Sequence, residues 1–289
     1  MSKEKMKPLK ELNLTDRFLF DQVMEDMETQ QDVLSIILER EIHLLTQVQT
    51  EKEQRVSPLA KSIRMDVFSM DEDQTVYNTE MQNKKTADLA KRSRYYQSLM
   101  DTSLLKPGDV NYNLLNDSYL IMIMTFDLFG EGKYRYTFRP KCEEVGGCTL
   151  EDGATRIFLS TKGKNRDEVS KELVEFLQYV EKSSDQTAAA SESLRIKRIH
   201  SRVCEVRTSE EIGVKYMQAW EEKCYDRMEA REEGREEGRE EGRAEILKQM
   251  IGKKLDKGKT IPEIADALEM DEGLVRKFAD QLEKEPLQP

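Results

Sequence analysis

Residues 63–82 read IRMDVFSMDEDQTVYNTEMQ, and their alternation is the main basis for the fold prediction. Its first part, Ile63 to Phe68, alternates between two faces as a β-strand does, and Thr75 to Gln82 resumes the alternation after the acidic segment MDEDQ. The two strands are therefore predicted to form a hairpin. Asp71 and Asp73 are expected to be solvated turn residues at its tip.

The period of two along a strand determines which side chains of the hairpin share a face. In the second strand, Glu80 and Gln82 fall on one face together with Asn78. Tyr77 and Met81 fall on the opposite face. The sequence therefore predicts one apolar face and one face that carries an acid between two amides.

Segments on both sides of the hairpin predict helices and further strands. Helical periodicity runs over about Thr15 to Leu45 with a break near Met27 to Gln31, over Lys85 to Leu105, and over Asp167 to Val180. The remaining strand candidates are the apolar run Ser118 to Phe126, which suits a strand covered on both faces, then Tyr134 to Arg139 and Thr155 to Ser160. This order predicts an α/β fold, in which a mixed β-sheet is flanked by helices.

The last third of the chain is expected to be a helical extension outside the core domain. The small residues of SSDQTAAASE predict a linker at residues 183–192, after a domain at residues 1–182. Residues 193–243 are predicted to be helical and end in a threefold REEG repeat. Its glycines form one stripe on a helix, and a solvated spacer is favoured over a helix-pairing surface because mid-helix glycines destabilise a helix.

Residues 244–289 are predicted to form a small tail of the helix-turn-helix type. Leu274 and Val275 are expected in its small core. A plain helical hairpin is the alternative, since the second helix offers only Arg276 and Lys277 to a DNA groove.

Composition argues against several classes of protein. The formal net charge of -11 argues against a protein that coats nucleic acid by bulk electrostatics, although a basic segment at residues 84–94 leaves local binding open. No apolar run approaches the roughly 20 residues that span a bilayer, so no membrane partner is expected. The 4 cysteines show no CxxC spacing, so neither a zinc site nor a disulfide framework is expected, and a reducing cytoplasm suits them.

Two acids on neighbouring strands, Asp66 and Glu80, are the candidate metal ligands. Phosphodiester hydrolysis needs a hard cation, and such cations prefer carboxylate oxygen atoms. If the hairpin register places the two acids side by side, their carboxylates would share one metal ion. Gln82 lies on the same side of the sheet, where its amide could orient the attacking water or bind the phosphate. Lys84 is next in phase if the strand continues.

The same residues carry a resemblance to a known family. The pattern IRMDVFSMDEDQTVYNTEMQ, with LTDRFLFDQVM before it and KRSRYYQSLM after it, resembles the PD-(D/E)xK nuclease family transposases, also called recombination-promoting nucleases. The similarity runs from about Asn13 through Phe138. In this resemblance Asp66 corresponds to the metal-binding aspartate and Glu80 to the acid of the E-x-K motif, while Gln82 occupies the lysine position, a replacement known in the family.

The resemblance implies a restriction-endonuclease-like fold and a DNA endonuclease that uses Mg²⁺ or Mn²⁺ in recombination or in a mobile element. Asp16 lies in the motif at the head of the first helix, where it could approach the metal or cap the helix. Arg92 could contact a phosphate, and Tyr96 is expected in the core.

Two other functions stay open on the sequence alone. The loss of the motif lysine and the helix-rich C-terminus are compatible with a catalytically degenerate nuclease that serves as a DNA-binding or assembly module. A homo-oligomer held by the C-terminal helices is a further expectation.

Overall fold

The computed structural model describes residues 6–45, 49–54, 63–104 and 110–284, and for residues 49–54, 63–66, 103, 283 and 284 it describes the backbone alone. This part of the chain contains one six-stranded sheet. Its strands are β1 (Gln49–Gln54), β2 (Ile63–Met70), β3 (Val76–Gln82), β4 (Ser118–Met124), β5 (Arg135–Phe138) and β6 (Ala154–Ser160).

The sheet is mixed, as predicted, and its strand order is β1-β2-β3-β4-β6-β5. β1, β2 and β3 pair antiparallel, so β2 and β3 form the expected hairpin. β3, β4 and β6 pair parallel, and β5 closes the other edge antiparallel to β6. The carboxyl ends of β3, β4 and β6 therefore meet at one edge of the sheet.

Helices cover both faces of the sheet. The helices of the first compact part are α1 (Arg17–Met24), α2 (Met27–Leu38), α3 (Leu89–Leu104), α4 (Lys171–Glu181), α5 (Asp185–Ala190) and α6 (Leu194–Thr208). α3 packs on one face, and the other five helices contribute to the larger apolar cluster on the opposite face. The fold is thus an α/β sandwich consistent with a restriction-endonuclease-like architecture.

The two faces of the hairpin differ as the alternation predicts. Val67 and Met81 lie in the larger cluster, under α1, α2, α4 and α6. Phe68 and Val76 lie in the smaller cluster, together with Tyr96 of α3. The expectation of Tyr96 in the core is therefore confirmed.

The first two helices are separated slightly earlier than the periodicity suggests. α1 ends at Met24 and α2 begins at Met27, so the break lies at residues 25–26 rather than at residues 27–31. Asp26 sets this boundary, because its side chain accepts hydrogen bonds from the backbone N–H of Thr29 at 2.8 Å and from the Thr29 hydroxyl at 2.7 Å.

At the hairpin tip, the expectation that Asp71 is a solvated turn residue is wrong. Asp71 is 3% exposed and not solvated. It accepts hydrogen bonds from the Tyr77 hydroxyl at 2.5 Å and from the backbone N–H of Thr75 at 2.8 Å. Burial, and then the Asp71 carboxylate beside it, raise the pKa of Tyr77, so the phenol stays neutral and donates to Asp71. Asp73 is exposed, as expected of a turn residue.

The predicted linker at residues 183–192 differs from the structure. It contains α5 and continues into α6, which buries Ile196, Ile199 and Val203 against α1 and α2. Ser183 also binds the N-terminal segment, since its hydroxyl accepts from the backbone N–H of Leu14 at 2.9 Å. The first compact unit therefore runs through Met217 and does not end at residue 182.

The second compact unit, Gln218–Pro289, is helical where it is described. It holds most of α7 (Glu210–Leu255), followed by α8 (Ile261–Leu268) and α9 (Glu272–Lys284). Its small core contains Ile251, Ile264 and Val275. Leu274, expected in this core, is instead 42% exposed, because it lies on the outer face of α9.

The REEG repeat lies in the middle of α7. Gly234, Gly238 and Gly242 are exposed, and a Cβ atom added at any of them would meet nothing within 4 Å. The glycines of the repeat are thus exposed to solvent, as is expected of a spacer. None of the described helices is long and apolar enough to cross a membrane.

Candidate active site

A polar column runs along one face of β3 towards the carboxyl end of the strand. Asn78, Glu80 and Gln82 share this face because side chains two residues apart in a strand point the same way. Glu80 is 2% exposed and Asn78 is fully buried, whereas Gln82 is partly exposed. A buried carboxylate is costly unless it is paired or hydrogen-bonded, so its position requires a physical reason.

Two amides hold the Glu80 carboxylate in the described structure. The Nδ2 of Asn78 donates to Oε1 of Glu80 at 3.1 Å. The Nε2 of Gln82 donates to Oε2 at 3.4 Å, a longer contact. Each carboxylate oxygen thus accepts a hydrogen bond from a neighbour along the same strand.

Asn78 also presents an unsatisfied oxygen atom. Its Oδ1 is buried and has no hydrogen-bond partner among the described residues. Most buried polar atoms of native proteins are paired, so an orphaned carbonyl oxygen next to a buried carboxylate is consistent with an absent cation or water. The sequence alternation placed Asn78 on the face of Glu80, and this was the signal from which a role for Asn78 could have been inferred.

Asp66 lies on the neighbouring strand. The β2–β3 register pairs Val67 with Thr79 and Phe68 with Asn78. Continuing this register by one residue brings the Asp66 backbone opposite that of Glu80, and both residues lie within their strands. The side chain of Asp66 lies outside the described part, so the pairing of the two carboxylates remains a prediction.

The head of α1 meets the end of β3. The side-chain amide of Asn83, next after Gln82, donates to the backbone carbonyl of Thr15. Asp16 follows Thr15 and caps α1, since its Oδ1 accepts from the backbone N–H of Phe18 at 3.0 Å. The helix cap is therefore the observed role of Asp16, close in the fold to the last residues of β3.

The basic residues after β3 fall into different environments. Lys84 is exposed, and Lys85 donates through Nζ to the backbone carbonyl of Asp127 at 3.1 Å. Arg92, on the first turn of α3, is partly buried, and its guanidinium carbon lies 5.8 Å from the centre of the Tyr96 ring. This contact is within the range of a cation–π interaction.

Arg92 has unused donors. Its Nε and Nη2 atoms are buried and have no hydrogen-bond partner within the described ranges. A guanidinium with two N–H groups available in fixed geometry matches the oxygen atoms of a phosphate. Of the three accessory residues named from the sequence, Arg92 is the one with buried N–H groups that lack a partner among the described residues.

The donor set of this column suits a hard divalent cation. Glu80 offers carboxylate oxygen atoms and Asn78 offers an amide oxygen, and such cations prefer oxygen ligands of these kinds. Neither histidine nor cysteine occurs along β3 to favour a softer metal. The residues present thus fit Mg²⁺ or Mn²⁺.

Comparison with known proteins gives one match. A family model described as PD-(D/E)XK nuclease family transposase matches residues 17–233, which is more than half of the chain. No curated protein matches, and no solved structure matches. The matched range includes the polar column, α3 and all of α1, and it begins one residue after the capping Asp16.

Proposed function

The chain belongs to the PD-(D/E)XK nuclease family transposases, and from this premise we propose that it is a metal-dependent endonuclease that hydrolyses phosphodiester bonds in DNA. The observation that carries the proposal is the buried Glu80 carboxylate, held by two amides on a strand whose register brings Asp66 opposite. We further propose that the cleavage serves recombination or a mobile element.

Asp66 and Glu80 would hold the cation, and Asn78 would support it. When bound, Mg²⁺ or Mn²⁺ supplies positive charge and Lewis acidity against the scissile phosphate. Asn78 acts as a positioning residue, because its Nδ2 donates to Glu80 Oε1 and fixes the direction of that carboxylate. Such outer hydrogen bonds orient the ligands of metal sites.

Gln82 and Arg92 would act on the substrate. The Gln82 amide contacts Glu80 and is partly exposed, so it can orient the attacking water or donate to a phosphate oxygen. Arg92 would donate its two unpaired N–H groups to the phosphate once its guanidinium turns out of its buried position. As the water oxygen bonds to phosphorus and the ester bond to the leaving oxygen breaks, these donors would stabilise the charge that develops on the phosphoryl oxygen atoms.

A plasmid assay tests the proposal directly. Purified protein is incubated with supercoiled DNA and either Mg²⁺, Mn²⁺ or EDTA, and nicked and linear products are quantified. Wild type should convert the plasmid only with the divalent cation, and Asp66→Ala should abolish the conversion. Asp73→Ala, at an exposed acid of the same hairpin, is the matched control and should cleave like wild type. Equal cleavage by wild type and Asp66→Ala, or none by either, would overturn the proposal.

A second candidate function rests on Gln82. A neutral amide stands in the lysine position of the motif, so the positive charge of a lysine side chain is missing there. Without that charge, the chain would serve as a DNA-binding or assembly module. The C-terminal unit, with its own small core, would then supply the binding surface through Arg276 and Lys277. This function predicts metal-independent DNA binding that falls in the Arg276→Ala, Lys277→Ala double variant. Unchanged binding with metal-dependent cleavage intact would remove it.

Assembly through the C-terminal helices is a proposal of its own. α7 exposes its glycine stripe together with Tyr225 and Met228, which are apolar surfaces that a second copy could cover. Sedimentation of the full chain should then show an oligomer that Met228→Glu dissociates. A monomer at all concentrations would contradict assembly.

A further inference from the structure

A second cluster of metal-ligating side chains lies away from the polar column, among α4, α5 and α6. His200 and Cys204 are four residues apart on α6 and therefore share one helix face. Asp185, the first residue of α5, faces them. The His200 Nε2 atom lies 3.1 Å from Asp185 Oδ1 and 3.6 Å from Cys204 Sγ.

These two separations are close to those of ligands on one tetrahedral ion. Zinc binds sulfur at about 2.3 Å and nitrogen or oxygen at about 2.0–2.1 Å, so its tetrahedral ligands lie roughly 3.3–3.5 Å apart. The three ligand atoms here all lie within 4.8 Å of one another. One ion could thus contact all three once the side chains move these atoms to the spacing of a tetrahedral site.

Tyr179 of α4 fixes the direction of the histidine ring. Its hydroxyl lies 2.8 Å from His200 Nδ1, and the two rings pack edge to face at 5.7 Å. A partner on Nδ1 leaves Nε2 to face the cysteine and the aspartate. Metal-bound histidines in proteins usually have such a partner on the ring nitrogen that does not bind the metal.

We propose that Asp185, His200 and Cys204 form a binding site for a zinc-class divalent cation, with water as the fourth ligand. Thiolate and imidazole select such a metal over Mg²⁺, which prefers oxygen ligands, so this site and the polar column would take different ions. A thiolate, a neutral imidazole and a carboxylate together neutralise a divalent charge. The bound ion would hold α5 against α6, in the segment that the sequence predicts to be a linker.

The cysteine spacing alone does not reveal this site. The nearest sequence signal is a histidine and a cysteine separated by three residues, and the third ligand comes from a different helix. The expectation of no zinc site rested on the absence of CxxC pairs and on the presence of only two histidines, His43 and His200. One thiol is enough, however, when imidazole and carboxylate complete the set.

Cobalt titration of the reduced full-length protein tests the proposal, because Co²⁺ occupies zinc sites and a thiolate ligand gives it a near-ultraviolet charge-transfer absorption. Wild type should develop this absorption to one equivalent, and Zn²⁺ should displace it. Cys204→Ser should abolish the absorption. Cys224→Ser and His43→Asn are the matched controls, at another partly buried cysteine and at the exposed histidine, and should bind like wild type.

Two further variants separate metal binding from simple helix packing. Asp185→Asn changes a side chain that is 95% exposed, so the fold should persist while cobalt binds at least about tenfold more weakly. Tyr179→Phe keeps the buried ring and removes the hydroxyl, which should weaken binding about 10- to 100-fold. Absence of the charge-transfer absorption in wild type, or its persistence in Cys204→Ser, would overturn the site.

Discussion

The two faces of β3 are almost equally buried and yet are built from different chemistry. On one face, Tyr77 and Met81 lie in the large apolar cluster beneath α1, α2, α4 and α6. On the other face, Asn78 and Glu80 are no more exposed, but they present amide and carboxylate groups beside a smaller apolar cluster under α3. Burial by itself therefore does not separate residues that stabilise the fold from residues of the site.

The difference lies in what burial costs. An apolar side chain gains roughly 1.5–3 kcal/mol when it is fully buried, whereas a buried carboxylate loses hydration that its partners must offset. A face built for stability alone would carry apolar residues at positions 78 and 80. The polar column is therefore where the proposed chemistry is expected, whereas the opposite face mainly stabilises the fold.

Glu80→Gln should cause the largest loss of cleavage activity and should not lower the stability of the fold. The amide keeps the shape of the carboxylate and removes its charge, so cleavage should fall at least about 100-fold, which corresponds to about 2.7 kcal/mol of transition-state stabilisation. Stability should not fall with it, since the variant relieves a buried charge. Rates of plasmid nicking and urea unfolding on the same preparation give both quantities. Glu72→Gln at the exposed hairpin tip is the control.

Substitutions of Gln82 should change the cleavage rate less, and two different substitutions should change it in opposite directions. Gln82→Ala removes one neutral donor from the site, so cleavage should fall about tenfold, or about 1.4 kcal/mol. Gln82→Lys supplies a positive charge at the motif position and should cleave at least as fast as wild type. If Gln82→Lys is inactive while it remains folded, the equivalence of this position with the motif lysine is wrong.

A substitution on the apolar face should lower stability and leave activity unchanged, which is the reverse of Glu80→Gln. Ile121 of β4 is fully buried in the large cluster, and Ile121→Val removes one methylene group. The free energy of unfolding should fall by about 1 kcal/mol. Cleavage per folded molecule should stay within about twofold of wild type, because a lost methylene here leaves the polar column intact. A loss of activity comparable to that of Glu80→Gln would show that the two faces are not separable.

Asp127, in the loop that follows β4, should make the stability of the fold depend on pH. Burial disfavours its charge, but the Tyr136 hydroxyl at 2.8 Å and the backbone N–H groups of Gly132, Gly130 and Phe129 outweigh this and lower its pKa. Because the pKa of Asp127 is lower in the folded protein, its carboxylate stabilises the fold at pH values above the pKa of about 3.9 that aspartate has in the unfolded chain. This contribution is lost as the pH falls through the pKa of the folded state.

Asp127→Asn should therefore lower the free energy of unfolding by about 0.5–1 kcal/mol at pH 7, and the difference from wild type should shrink below about pH 4. Asp152→Asn, at an exposed acid, is the control. A difference that is independent of pH would show that the carboxylate charge is not responsible.

Local periodicity predicts much of this fold because several elements show their burial pattern within a few residues. The alternation in β3 and the apolar run of β4 are of this kind. β1 is different: its sequence QTEKEQ is entirely polar, and it joins the sheet through backbone pairing, with Thr50 opposite Val67. No side-chain pattern could have identified it.

The elements that the sequence misplaces depend on distant partners. Asp71 lies in a run of acids typical of a solvated turn, and it is buried because Tyr77 donates to it. The segment DQTAAA is typical of a linker, yet it forms α5, because α6 beyond it packs on α1 and α2. In the site, strand phase was enough to group Glu80 and Gln82, whereas the orphaned Asn78 oxygen and the unused Arg92 donors required the three-dimensional structure.

The central claim is that Asp66 and Glu80 share a divalent cation. The most direct measurement is anomalous scattering from a crystal of the wild-type protein soaked in Mn²⁺. The predicted result is an anomalous peak within about 2.0–2.3 Å of carboxylate oxygen atoms of both residues, and no such peak in a Glu80→Gln crystal soaked in the same way. A wild-type crystal without a peak at these carboxylates under saturating Mn²⁺ would contradict the account.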